Sequence, residues 1–133
     1  MTQVIIYTNE NGNVSVCIPT GEIPIEDVLA KDCPEHATIV DADTLPQGED
    51  DFFDAWRLVS GAVSVDLAAA KGVQIGRLNI AAKEAVAQRA MNTAIGIDNE
   101  VSDADFAEAV IAKRLAIGAC ETTAEIRAVK LEF

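Results

Sequence analysis

A chain of 133 residues is one domain's worth, long enough to bury roughly two thirds of its unfolded surface without a metal or disulfide staple. Half of its residues are apolar but only six are aromatic, and alanine dominates the apolar set, which favours helix over a large interlocking core. The formal charge of −12 repels phosphate, which argues against nucleic acid or an anionic membrane surface as a direct partner and leaves solubility or a basic protein partner as its meaning.

The chain opens with "QVIIYTNENGNVSVCIP", two apolar runs around an Asn-Gly step, and Asn-Gly supplies the positive φ angles of a tight hairpin. Strands are expected at about Val4–Thr8 and Val14–Ile18, with Pro19 and Gly21 ending the ladder. In "IPIEDVLAKDCP" the spacing of Ile25, Val28 and Leu29 predicts a short helix stopped by Pro34, and "ATIVDADTLP" returns to extended chain. Nothing at the N-terminus has the basic start and sustained apolar run of a signal peptide, so synthesis and first folding are expected in the cytoplasm.

The stretch "DDFFDAWRLVSGAVSVDL" sets Phe52, Phe53 and Trp56 beside an acidic run. Large aromatics cannot all face water cheaply, so these three are read as a structural joint, with Phe52 and Trp56 on one face of a helical turn. "WRLVSGAVSV" then alternates like a second hairpin turning at Ser60-Gly61.

Asp66 is a good N-cap, and a helix is expected from Leu67 to about Ile95, roughly 45 Å at 1.5 Å per residue. Leu67, Ala70, Ala81, Ala82, Ala85 and Val86, with Ile75 and Leu78 between, form its narrow apolar stripe. Gly72 and Gly76, four apart, either weaken the helix or admit another backbone closely. Gly96 suits the helix stop, and Ser102 with Asp105 has the Ser-x-x-acid form of a capping box for a second helix, Asp103 to Ile117, with Phe106, Val110, Ile111 and Leu115 along one face and Gly118 as its end. A last short helix is expected from Thr123 to Leu131. The fold class is therefore α+β: a small β-rich acidic part, residues 1–66, of hairpins plus a short helix, followed by a helical part, residues 67–133, with one long helix and one or two shorter ones. The acid lies mostly in the first, which holds thirteen acids against two bases, whereas the second holds nine against eight.

Residue types and their spacing carry no reaction chemistry. Cys17, Cys33 and Cys120 lie far apart in sequence without a Cys-x-x-Cys step, and one histidine, His36, cannot complete a zinc site with them. An odd number of cysteines fits free buried thiols in a reducing compartment, with an intermolecular disulfide as the alternative. Cys33 and His36 in "CPEH" make a poor nucleophile and base pair, and carboxylate pairs such as Asp41 with Asp43 have no diagnostic value among twenty-two acids. "VDADTLPQGEDD" has acids at alternate positions but, counted from Asp41, lacks the glycine at position six, where Pro46 stands, and the glutamate at position twelve that a calcium loop needs. The expectation is no enzyme, no catalytic residues, no metal and no cofactor. No stretch approaches the roughly 20 apolar residues of a membrane span.

The order of elements carries a resemblance. "VIIYTNENGNVSVCIPTG", then "IEDVLAKDCPEHATIVDADTLP", "FFDAWRL", "VSVDLAAAKGVQIGRL" and "AKRLAIGACETTAEIRAV" together resemble a group of small proteins encoded in the virion modules of tailed bacteriophages, over nearly the whole chain. That group commonly carries a run of arginines in its long helix; this chain keeps only Arg77 and Arg89 there. The resemblance implies a non-enzymatic virion structural protein of the tail, fibre or baseplate region that acts by protein-protein assembly in the particle, after synthesis in the host cytoplasm. The alternative is a tail-fibre assembly chaperone that leaves before the virion is complete. A helix too long for the rest of the chain to cover asks for neighbours, so the expected partners are other phage virion proteins and copies of itself, a homo-oligomer with three chains favoured and Ile75, Leu78 and Val86 in the contact.

Overall fold

The central strand of the N-terminal sheet, β1 (Gln3–Thr8), is flanked by β2 (Val14–Cys17) and β3 (Thr38–Asp41), both antiparallel to it. Ile6 pairs with Val16 and Val4 with Val40, while Ile5 sits between Cys17 and Ile39. Side chains alternate across a sheet, so Val4 and Ile6 share one face and Ile5 and Tyr7 the other. All of Val4, Ile5 and Ile6 are nonetheless buried. The run is continuous because both faces are covered: α1 (Ile25–Asp32) lies against β1, and the Tyr7 ring meets His36 just beyond α1.

The computed structural model describes residues 2–133 and divides into two compact units, one ending at Ala69 and the other running from Ala70 to Phe133, so the boundary falls in the first turn of the long helix. The fold is α+β, with a small β part of hairpins followed by a long helix and further helices.

The first hairpin leaves residues 9–13 between its strands, as the expected strand bounds require, but the Asn-Gly step does not form a two-residue turn within it. Asn9 and Asn13 close the loop through Asn9 N–H to the Asn13 carbonyl at 2.8 Å, and only Gly12 takes a positive φ, 82°. The Asn9 side-chain oxygen accepts from the N–H groups of Asn11 and Asn13, so a local side-chain turn replaces the two-residue turn. The second hairpin, β4 (Trp56–Val59) and β5 (Ala62–Val65), turns at Ser60 and Gly61 with φ of 53° and 81°, the paired positive angles of a two-residue turn matched to strand twist. Before it, residues 50–55 form a 3-10 segment rather than a regular helical turn, with Phe52 off helical geometry.

The core of this unit is Val4, Ile6, Val14 and Trp56, with Val16, Val40, Leu45, Leu58, Val63 and Val65 packed against them. Trp56 thus joins one face of the three-stranded sheet to the β4–β5 hairpin. Arg57 ties the same hairpin to the first loop by donating to the Asn13 side-chain oxygen at 3.1 Å and to the Asp54 carbonyl at 2.8 Å.

The second unit is helical: all but the first three residues of α2 (Leu67–Ala94), then α3 (Asp103–Ala119) and α4 (Thr123–Ala128). α2 stops as expected at Gly96, φ 79°, where Ile97 N–H returns to the Asn92 carbonyl and Gly96 N–H to that of Thr93. These two bonds satisfy carbonyls that the helix end would leave open. Ser102 caps α3 by accepting from Asp105 N–H at 3.1 Å, and Thr122 caps α4 by accepting from Glu125 N–H.

Two helix ends depart from the sequence expectation. Gly118 lies inside α3, which continues to Ala119, because Ile117 and Cys120 on either side of it are buried and its own carbonyl accepts from Lys71 Nζ at 2.8 Å. α4 ends at Ala128, short of Leu131. Carbonyls at its end are taken by side chains, those of Ile126 and Val129 facing the Gln74 amide at 3.4 and 3.5 Å and that of Lys130 accepting from Lys113 at 2.7 Å. A Cβ added at Gly72 or Gly76 would meet nothing within 4 Å, so neither glycine receives a close backbone, and both lie on an open side of α2.

Candidate interaction surfaces

The helical unit buries few large side chains. Ala70, Gln74 and Leu78 are the buried residues of α2, Ile117 that of α3 and Ile126 that of α4. Residues 70, 74 and 78 recur every four positions, which marks the inward line of α2. Polar groups on this line and beside it are matched with remote carbonyls: Gln74 to the end of α4, and Lys71 to Gly118. Arg114 of α3 reaches the Asn79 side chain of α2 at 3.4 Å.

The interaction residues expected from sequence separate. Leu78 is fully buried within the single chain, Ile75 is half-buried, and Val86 is 54% exposed. Leu78 therefore cannot serve as a contact for a second chain. Ile75 and Leu78 are three apart and partly share a face, but the burial boundary falls between them, because the inward line follows Ala70, Gln74 and Leu78. α3 shows the same redistribution. Phe106, Val110 and Lys113 are half-buried and Ile117 is buried, at inward spacings of four, three and four, while Ile111 and Leu115 are exposed, Leu115 at 70%.

Exposed large apolar side chains thus concentrate on the outer sides of the helices. Ile80 and Met91 on α2 are 61% and 58% exposed and lie eleven residues apart, three turns along nearly one line. Val86 lies elsewhere on the same helix, and Ile111 and Leu115, four apart, form a second line on α3.

A cleft of about 490 Å³ opens at the far end of α2, lined by Arg89, Asn92, Ile97, Val101, Phe106 and Phe133 among others. Arg89 organises it, with its guanidinium 5.0 Å from the Phe106 ring centre, 2.7 Å from the Val101 carbonyl and 2.6 Å from the Asp103 carboxylate. The Phe106 and Phe133 rings pack tilted against each other, centres 5.0 Å apart. These contacts hold the α2–α3 connection together.

The aromatics of the expected joint also differ in placement. Phe52 and Trp56 are buried, whereas Phe53 is partly exposed and leans on Trp56, ring centres 4.9 Å apart. The Trp56 indole N–H donates to the Glu49 carbonyl at 3.2 Å.

Ligand-type side chains do not assemble into a metal site: among the described residues no three of His, Cys, Asp and Glu cluster suitably. His36 Nε2 lies 3.0 Å from the Thr8 carbonyl, which can only accept, so that nitrogen carries the proton and is engaged in holding the turn after α1 to β1. The neighbour of Cys33 is Cys17. Burial pushes the Cys33 thiol above its ordinary range, and the adjacent Cys17 thiol and the Asp32 carboxylate push it further. Sequence spacing concealed this pair. The signal that locates it is strand alternation, which puts Cys17 beside Ile5 on the sheet face next to α1, together with the position of Cys33 at the end of that helix.

No protein-family model matches this chain, and neither a curated protein nor a solved structure matches it significantly. No helix among the described residues is long and apolar enough to cross a membrane.

Proposed function

We propose that this chain is a non-enzymatic structural protein of a tailed-bacteriophage virion, in the tail, fibre or baseplate region, acting through protein-protein assembly. The phage assignment rests on the run of motifs from the first hairpin to the closing helices. The assembly reading is supported by one observation above all, the exposed Ile80, Val86 and Met91 on α2 with Ile111 and Leu115 on α3, in a unit whose buried large side chains are few. Fully burying such a side chain contributes about 1.5–3 kcal/mol, whereas association costs about 4–15 kcal/mol in lost freedom. One pair of residues is therefore too little, and a contact must enlist most of this set, which suits a bundle of several copies, three being the favoured number, or a helical partner from the same particle.

The assembly-chaperone reading keeps one supporting observation, the thirteen acids against two bases in residues 1–66, a surface suited to masking a basic partner. Mass spectrometry of purified particles separates the two. Stoichiometric presence supports the structural component, and presence in infected cells but not in particles supports the chaperone.

A further inference from the structure

We propose that Cys17 and Cys33 are a modification site: on exposure to a small-molecule disulfide such as oxidised glutathione they close an intramolecular bridge that staples the edge strand β2 to the end of α1. Cys17 is the last residue of β2, and its partner in the ladder is Ile5. Ile5 and Tyr7 point to the sheet face away from the Val4–Ile6–Trp56 core. The turn after α1 sits on that face, fixed by Tyr7 against His36 and by His36 Nε2 on the Thr8 carbonyl. Cys33 is the C-cap residue of α1, three residues before His36, so the helix end delivers it over the same face. The two thiols are close enough to interact, and both are reduced and half-buried, within reach of a small oxidant. Cys120 belongs to the other unit, where its thiol donates to the Ala116 carbonyl at 3.1 Å.

The chemistry is thiol-disulfide exchange. A thiolate of the pair attacks one sulfur of glutathione disulfide, forming a mixed disulfide and expelling one glutathione thiolate. The second cysteine, losing its proton to solvent, attacks the protein-side sulfur and expels the other glutathione. One small disulfide is reduced to two thiols as two cysteine thiols are oxidised to one bridge, and a reductant such as dithiothreitol reverses it. Because burial and the neighbouring groups hold Cys33 protonated, the exchange is slow at neutral pH and accelerates in alkaline buffer. The bridge encloses the segment 18–32 and restrains the unfolded chain as well as the folded one.

The test uses the full chain incubated with oxidised glutathione. Closure is read as an intact mass lower by about 2 Da without a glutathione adduct, a peptide map linking the Cys17 and Cys33 peptides with Cys120 unmodified, and a melting temperature of the N-terminal unit raised by roughly 10–20 °C, all reversed by dithiothreitol. Cys17→Ser and Cys33→Ser, at half-buried positions, are each expected to stop at the glutathione adduct, and Cys120→Ser to close the bridge like the parent. A persistent glutathione adduct on the parent chain, a disulfide between chains, or a bridge that includes Cys120 would each overturn the proposal.

Discussion

The indole nitrogen of Trp56 donates a hydrogen bond to the main-chain carbonyl of Glu49, 3.2 Å away, while the ring itself lies in the core between the sheet and the second hairpin. Its two roles, filling volume and holding the turn before the hairpin, can be separated. Trp56→Ala leaves a cavity and is expected to cost about 3–5 kcal/mol, whereas Trp56→Phe keeps most of the volume and loses the hydrogen bond, about 1 kcal/mol plus a packing defect. Urea unfolding followed by far-UV circular dichroism measures both. Equal melting of Trp56→Ala and parent would place this ring outside the core.

Arg89 and Asp103 form a short ion pair, but Asp103 is 93% exposed and Arg89 is not. Exposed pairs contribute about 0–1 kcal/mol, so Asp103→Asn should scarcely move the stability. Arg89→Ala also removes the donor to the Val101 carbonyl and the cation over Phe106, and is expected to cost about 1.5–3 kcal/mol. Comparable losses in the two variants, measured by thermal unfolding, would locate the energy in the ion pair instead.

Leu78 and Ile80 sit two positions apart on α2 and should behave oppositely. Leu78→Ala removes a fully buried side chain and is expected to destabilise the monomer by about 2–5 kcal/mol. Ile80→Glu changes an exposed site, so the monomer should stay within about 0.5 kcal/mol of the parent while self-association weakens. Sedimentation at several concentrations reads the second effect, and the concentration dependence of melting expected of the parent should fade in Ile80→Glu. A parent that sediments as a monomer at every concentration removes self-association and leaves a different virion protein as the partner for these helices.

Cys33 binds its proton more tightly in the folded chain, chiefly through burial and then through Cys17 and Asp32. A group whose folded-state pKa is raised contributes stability that is complete below the unfolded thiol range and is lost as pH climbs through the folded value. The reduced parent should therefore lose stability on the alkaline side, from about pH 8.5 upward, more steeply than Cys33→Ser, and the two should run parallel below that. Denaturant titrations across pH 6 to about pH 10.5 in a reductant give the comparison, and parallel curves throughout would mean that the thiol is unperturbed.

Local chemistry made much of the backbone legible in the sequence. Gly61 marks its turn because a residue without a Cβ takes positive φ at no steric cost, carrying Ser60 into the left-handed region beside it, Ser102 caps α3 through a side chain three residues from the N–H it serves, and the stretch from Leu67 to Gly96 contains no proline to interrupt it. Such signals act over a few residues and need no knowledge of the rest of the chain.

Direction was decided by the tertiary structure. α2 and α3 are rich in alanine, so their hydrophobicity varies little around the axis and does not say which side turns inward. The inward lines contain Gln74 on α2 and Lys113 on α3, whose N–H donors are met by carbonyls of α4 and the closing segment. Those contacts also send Ile80, Ile111 and Leu115 outward, and they end α4 before Leu131. In the same way, no spacing rule joins Cys17 to Cys33: only the pairing of β2 with β1, and the return of α1 across that sheet face, brings the two sulfurs together.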